Sequence, residues 1–123
     1  MSYFLVFIGG GLGSIVRFLF SKFFTGYSPV FPFATFCANA VSCLILGSLF
    51  GYFASKQMAN ENARVLVAVG FCGGFSTFSA FSYETFLLVS AGNLRMAALN
   101  IFANLLVCYL AVMAGFFAFR GLQ

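Results

Sequence analysis

The stretch GFCGGFSTFSAFSYE, residues 70–84, decides how this chain folds. It lies within a long apolar run, yet it contains three glycines, four phenylalanines and four serine or threonine hydroxyls, and it ends on one of only two acidic residues in the chain. An ordinary membrane span has no need of so much small and polar material. We therefore expect this segment both to shape the backbone and to line a functional surface.

The rest of the composition places this segment in a membrane. Of 123 residues, 63% are hydrophobic and only 7% are charged, whereas a soluble domain carries about a quarter of charged residues. A membrane span needs roughly 20 mostly apolar residues, and four such runs are present: Tyr3–Phe20, Ala34–Phe53, Val65–Ser90 and Met96–Phe119. Because backbone in lipid must satisfy its own hydrogen bonds, we predict an all-α integral membrane protein, with one four-span domain over residues 1–123.

Several classes of protein are disfavoured. The first run lacks a preceding basic residue and a cleavage pattern, so we interpret it as a retained span rather than a signal peptide. The six basic residues are scattered, which argues against nucleic-acid binding. With no histidine and two acidic residues, no nucleophile–base set can be assembled, so an enzyme is not expected. The four cysteines fall inside spans without a CxxC pair and are interpreted as small core residues.

The basic residues do not choose an orientation. With the N-terminus inside, the cytoplasmic ends would carry one set of three and the opposite ends another: Lys56, Arg64 and Arg120 against Arg17, Lys22 and Arg95. An excess of positive charge normally marks the cytoplasmic side. This balance favours dual topology, in which copies insert both ways, unless the N-terminal amine or the depth of Arg17 breaks the tie.

Small and polar residues form stripes at helical spacing. Gly9, Gly13 and Arg17 share one face of the first span, where small residues allow close helix packing. Arg17 either extends to the membrane interface or draws anions into a vestibule. In the second span, Asn39 shares a stripe with Cys43, and its amide needs a partner in the membrane. Asn39 is thus either an interhelical hydrogen-bonding group or a pore-lining one.

The fourth span carries a comparable stripe. Asn100, Asn104 and Cys108 are spaced by four residues on an otherwise apolar helix. Two amides on one face are more than helix packing usually requires. We therefore expect this face to line water or a polar partner.

The third span combines two features. Gly70, Gly73 and Gly74 weaken the helix, and a break at that depth would free carbonyls that can coordinate a cation. Beyond it, Phe78 and Phe81 share a face, Ser79 and Ser82 form the adjacent one, and Thr77 precedes both pairs. Ring edges of phenylalanine are electropositive, so ring edges and hydroxyls suit a small anion, although aromatic residues at this spacing also serve plain packing.

These motifs resemble the Fluc, or CrcB, family of fluoride channels, and the resemblance covers the whole chain. The family's first-span pattern GGxxGxxxR is matched by Gly9, Gly10, Gly13 and Arg17, and its second-span asparagine by Asn39. Its long third-span signature, roughly GxxGGxTTFSTFSxE, is matched by Gly70, Gly73, Gly74, the stretch STFSAFS and Glu84.

The resemblance implies a function and a set of site residues. It implies a passive fluoride-selective channel that exports fluoride across the plasma membrane and protects against its toxicity. Asn39 would be the pore asparagine, and Phe78 and Phe81 the phenylalanines that meet fluoride by their ring edges. Backbone carbonyls of Gly73 and Ser76 would hold a structural sodium ion at the centre of an antiparallel, dual-topology homodimer embedded in lipid.

The sequence also departs from the family pattern. Ala80 and Ser76 stand where threonines are usual, and Asn104 and Cys108 stand where relatives often carry hydroxyl residues. We expect the fluoride path to include Thr77, Ser79, Ser82 and Asn104, with Arg17 at a vestibule or interface.

The alternatives to a fluoride channel are a four-span dual-topology drug–proton antiporter, which usually needs a carboxylate in the first span, and a non-transporting scaffold.

Overall fold

The chain folds as a set of long helices. A computed structural model describes residues 1–28, 30–57 and 60–121. Its helices are α1 (Ser2–Phe23), α2 (Phe33–Lys56), α3 (residues 61–75), α4 (Phe78–Ser90) and α5 (Leu94–Arg120). With α3 and α4 counted as one crossing, these described residues contain four segments long and apolar enough to span a membrane. The predicted all-helical, four-span architecture is confirmed, and Pro32 directly precedes α2.

The third crossing is irregular. In α3, a π-helical stretch, Arg64–Cys72, lies between the short α-helical turns Glu61–Ala63 and Gly73–Phe75. π-type turns are rare and often occur at functional sites. The backbone then becomes extended at Ser76, with ψ of 155°, and at Thr77, with φ of −152°. The interruption between α3 and α4 therefore falls at these two residues.

The glycines of the third crossing do not themselves unwind. Gly73 and Gly74 keep a helical backbone just before the interruption. Their neighbourhood explains part of their use, because a Cβ atom on Gly74 would collide with the backbone of Gly10 in α1. The interruption therefore lies after the glycines rather than at them, and close helix packing is what Gly74 provides.

α1 packs tightly against α3 through small residues. Gly9 and Gly13 are both buried, and a Cβ atom on either would strike a carbonyl oxygen of α3, that of Leu66 or of Phe71 respectively. Small residues at this spacing let two backbones approach. The packing role predicted for the first-span glycines is confirmed.

The interior is unusually polar and the exterior unusually apolar. Asn100 is fully buried and Asn104 is 5% exposed, whereas Phe102 on the same helix is 72% exposed. In a soluble protein the opposite distribution is usual, because amide side chains mostly face water and apolar side chains fill the core. It follows from burial in lipid, which covers apolar side chains and leaves polar groups to pair within the protein.

Candidate functional site

One cavity brings most of the predicted pore residues together. It has a volume of about 250 Å³ and lies between α2, the interruption with the start of α4, and α5. We call it the Asn39 cavity. Its lining residues are Asn39, Cys43, Ser76, Thr77, Phe78, Phe81, Asn104, Leu105 and Cys108. The structure thus brings together five of the predicted pore residues, which come from three different spans.

The Asn39 amide is held firmly on one side and loosely on the other. Its Oδ1 accepts a hydrogen bond of 2.8 Å from the backbone N–H of Thr77. Its Nδ2 donates to the Thr77 carbonyl and to Asn104 Oδ1, both over 3.4 Å. Donor–acceptor distances of N–H···O bonds are normally 2.7–3.2 Å, so the two N–H bonds are weak. The amide is therefore oriented by its oxygen, and its hydrogens are available to a better acceptor.

A second layer of amides supports Asn39. Asn104 donates from Nδ2 to both the carbonyl oxygen and the Oδ1 of Asn100, each at 2.9 Å. Asn100 in turn donates to Thr85 Oγ1 at 2.9 Å. The N–H groups of Asn104 are engaged with Asn100, so toward Asn39 it presents its oxygen. Asn100 and Thr85 were not among the predicted site residues, although the four-residue spacing of the asparagines signalled this stripe.

Phe78 and Phe81 lie between two cavities. Their ring centroids are 5.6 Å apart with the planes tilted by 44°. Besides the Asn39 cavity, both rings line a second cavity of about 430 Å³, which also contains Ser82 and Thr85. The pair therefore forms an aromatic partition with polar groups on either side, and the Phe78 ring is 78% exposed on the isolated chain.

The two predicted serines differ in position. Ser82 lines the second cavity. Ser79 is exposed, and its hydroxyl shares a hydrogen bond of 3.1 Å with Thr77 Oγ1. Ser79 thus reaches the site through Thr77, which lines the Asn39 cavity.

Arg17 belongs to a separate cavity that adjoins the first. This cavity of about 310 Å³ is lined by Ser14, Arg17, Phe18, Ser21, Thr35, Thr77, Ala80 and Glu84. Arg17 is half-buried. Thr77 lines both this cavity and the Asn39 cavity, so the cavity that Arg17 lines adjoins the predicted pore at that residue.

Glu84 shares the Arg17 cavity and is incompletely satisfied. Its Oε1 accepts a hydrogen bond of 2.6 Å from Thr35 Oγ1. Among the described residues its buried Oε2 has no hydrogen-bond partner. The Thr35–Glu84 pair joins α2 to α4 and was not predicted, because no local spacing relates two residues that are 49 positions apart.

The interruption frees two main-chain carbonyls. In a continuous helix, the N–H of Thr77 would bond the Gly73 carbonyl and that of Ala80 would bond the Ser76 carbonyl. Here Thr77 N–H donates to Asn39, and Ala80 N–H donates to Thr77 Oγ1 at 3.2 Å. The carbonyls of Gly73 and Ser76, predicted to hold sodium, thereby lose their helical donors. Within the described ranges no group of three or more His, Cys, Asp or Glu side chains is placed to hold a metal ion.

Comparison with known proteins gives the family. Residues 4–116 match the family model described as CrcB-like protein, Camphor Resistance (CrcB). The chain belongs to the CrcB-like family. With four membrane-spanning segments in its described residues, this CrcB-like chain is a multi-pass protein of the plasma membrane.

Curated relatives match over nearly their whole length. A protein of Azobacteroides pseudotrichonymphae is 40% identical over 92% of this chain and 91% of its own. One of Pyrococcus furiosus is 42% identical over 91% and 90%, and one of Escherichia coli is 40% identical over 94% and 91%. Each of these relatives is named a fluoride-specific ion channel.

Proposed function

We propose that this protein is a fluoride-selective channel through which fluoride leaves the cell passively. The observation that carries the proposal is the Asn39 cavity, which joins an amide with loosely held hydrogens to two phenylalanine rings inside a membrane-spanning chain. Relatives at about 40% identity, named fluoride-specific ion channels, support the choice of fluoride.

The residues of this cavity suit an ion that holds water tightly. Fluoride must exchange its water for donors that are numerous and weak, because conduction needs binding that is favourable but reversible. The N–H groups of Asn39 make only long hydrogen bonds of 3.4 Å, so redirecting them to fluoride breaks only weak bonds. The rings of Phe78 and Phe81 offer electropositive edges. None of the described residues that line this cavity carries a full positive charge, so the ion is not held too tightly to leave.

Arg17 provides the approach to the cavity. Its guanidinium is the basic group of a cavity that also contains the Glu84 carboxyl and that meets the Asn39 cavity at Thr77. A positive charge near the pore raises the local concentration of anions. We infer a path in which fluoride is drawn toward Arg17, passes Thr77, and then passes Asn39 and the aromatic partition.

Efflux from liposomes tests the channel directly. Purified protein is reconstituted with internal potassium fluoride, and efflux is started with a potassium ionophore and no pH gradient. A channel releases fluoride at once and retains chloride in parallel vesicles. Fluoride retention without a proton gradient, together with proton-driven efflux of an organic cation, would instead assign the antiporter alternative. No flux of either kind would assign a scaffold.

We propose further that two copies, inserted in opposite directions, form the working channel as single-domain subunits. Two observations support this arrangement. Basic residues are divided equally between the two membrane sides, so neither orientation is favoured. The face around the interruption is open, since Gly73 is exposed with nothing within 4 Å of a Cβ placed there, and the neighbouring Phe78 ring is exposed.

A sodium ion between the two copies fits the same face. The Gly73 and Ser76 carbonyls have lost their helical donors to Asn39 and Thr77, and free main-chain carbonyls are suitable ligands for a hard cation. Such an ion would supply positive charge that two neutral backbones can share. We propose that these carbonyls hold it, so that exchange of sodium for a bulky organic cation weakens the dimer.

A further inference from the structure

The packing of α2 on α5 has a constant register. Asn39 contacts Asn104, a separation of 65 residues. Further along, a Cβ on Gly47 would strike the carbonyl oxygen of Val112, and one on Gly51 would strike that of Phe116. Each pair has the same separation, so the two helices run parallel and every fourth residue of one faces its counterpart on the other.

Cys43 and Cys108 are the pair that this register places between those contacts. Cys43 lies one turn after Asn39 and one turn before Gly47, and Cys108 lies one turn after Asn104. Both line the Asn39 cavity, both are free thiols that are partly exposed, and the register of α2 on α5 sets them opposite each other. Two facing thiols thus form part of the wall that also carries Phe78 and Phe81.

We propose that Cys43 and Cys108 form a dithiol site for a soft, two-coordinate divalent cation of the mercuric type, and that the bound ion obstructs the fluoride path. The obstruction rests on the proposed channel function, whereas the binding does not. On binding, each thiol releases its proton to solvent and its sulfur forms one bond to the metal. Two protons leave, no electrons are exchanged, and the product is a neutral bis-thiolate complex.

The chemistry of the site restricts which ions it accepts. Thiolates select soft metals, and a divalent ion with two thiolates has no net charge, which suits a membrane interior where uncompensated charge is costly. Zinc sites are almost always four-coordinate, and the described residues supply no third His, Cys, Asp or Glu ligand here. The site should therefore bind mercuric ion and not zinc.

Binding is tested on the purified full chain by intact mass with one equivalent of mercuric chloride. The wild type should gain one mercury and lose two hydrogens, which shows a bridge. Cys43→Ser and Cys108→Ser should lose the bridge and at most carry mercury with a chloride on a single thiol. Cys37→Ser is the matched control, since Cys37 lies on α2 outside the cavity lining, and it should bridge like the wild type. A bridge that persists in Cys43→Ser would overturn the site.

The effect on transport is tested in liposomes with the same variants. Mercuric chloride should lower fluoride efflux of wild type and Cys37→Ser by about tenfold or more, because a narrow pore is blocked by one ion, and dithiothreitol should restore it. Cys43→Ser and Cys108→Ser should lose this sensitivity, each compared with its own untreated rate, and zinc should leave all rates unchanged. Equal inhibition of every variant would overturn the obstruction. Absence of fluoride efflux before treatment would overturn the channel proposal but leave the mass result standing.

Discussion

Asn39 Oδ1 accepts the backbone N–H of Thr77 over 2.8 Å, and this bond ties α2 to the point where the third crossing is interrupted. In a continuous helix the Thr77 N–H would bond the Gly73 carbonyl, but here it donates to a side chain of α2. One amide therefore both stabilises the interruption and presents its Nδ2 to the cavity. Structure and transport are linked at this residue, and substitutions can separate the two.

Asn39→Asp and Asn39→Leu should differ in a defined way. Leucine removes the acceptor and leaves the Thr77 N–H unpaired, which costs about 1–3 kcal/mol, so both thermal stability in detergent and fluoride efflux should fall. Aspartate keeps an acceptor for Thr77 but replaces the N–H donors with negative charge, so efflux should fall while more of the stability remains. Asn62→Asp, at an exposed site outside the cavities, is the control. Equal efflux in Asn39→Asp and wild type would remove Asn39 from the path.

Phe78→Ile and Phe81→Ile test the aromatic partition. Isoleucine keeps apolar bulk but has no electropositive ring edge, so fluoride efflux should fall on the order of tenfold or more while the protein elutes as before in size-exclusion chromatography. Phe86→Ile is the matched control, because Phe86 is an exposed ring on the same helix. Should all three variants conduct like the wild type, the two rings serve packing only.

The spans and stripes followed from sequence because they depend on local spacing. Runs of about 20 apolar residues predict spans, and residues four apart share a helix face, as Gly9 and Gly13 show at α3. The contacts that form the site were harder to predict from the sequence. The bond from Thr77 to Asn39 joins residues 38 positions apart, and the pairing of Cys43 with Cys108 requires the register of α2 on α5, which neither helix encodes alone.

The position of the interruption does not follow from local sequence alone. Glycine composition pointed to the stretch around Gly73, but the backbone leaves the helix only at Ser76 and Thr77. Glycine permits an unusual backbone without requiring it. The position is set instead by competing acceptors, since Asn39 and the Thr77 hydroxyl take the N–H groups of Thr77 and Ala80, and Asn39 comes from a different span.

Gly73 and Gly74 should respond differently to valine. Gly74→Val collides with the α1 backbone at Gly10, so it should unfold or destabilise the single chain. A Cβ on Gly73 meets nothing within 4 Å among the described residues, and Gly73 already has a helical backbone, so we attribute a severe effect of Gly73→Val to contact with a second copy. We expect Gly73→Val to shift the protein from dimer to monomer, measured by chemical crosslinking in detergent.

Ser76→Ala is the companion of Gly73→Val. It removes only the hydrogen bond of 2.7 Å from Ser76 Oγ to the Cys72 carbonyl, worth about 0.5–1.5 kcal/mol. The main-chain carbonyl remains, so the dimer and its response to sodium should be preserved. Equal tolerance of Ser76→Ala and Gly73→Val would argue against a carbonyl-held ion between subunits.

Dual topology predicts reporters on both sides. A C-terminal reporter active only in the cytoplasm and another active only outside should both report comparable amounts of wild-type protein. Insertion of two lysines directly after Lys56 should create a cytoplasmic excess of positive charge and force one orientation. Fluoride efflux should then fall, because antiparallel pairs are lost. A single orientation of the wild-type protein would contradict dual topology.

Arg17→Gln and Lys22→Gln remove the same charge from different places, and the comparison decides what Arg17 does. Arg17 lines the cavity that meets the Asn39 cavity at Thr77, while Lys22 lies near the end of α1 with its ammonium 5.0 Å from the Phe18 ring. If Arg17 draws fluoride inward, Arg17→Gln should lower efflux well below Lys22→Gln at low ionic strength. The gap should narrow as salt is added, since the screening length falls from about 30 Å at 0.01 M to about 10 Å at 0.1 M. Both variants should be as stable as wild type in detergent. Equal efflux of the two variants at every salt concentration would mean that Arg17 only anchors α1 at the membrane surface.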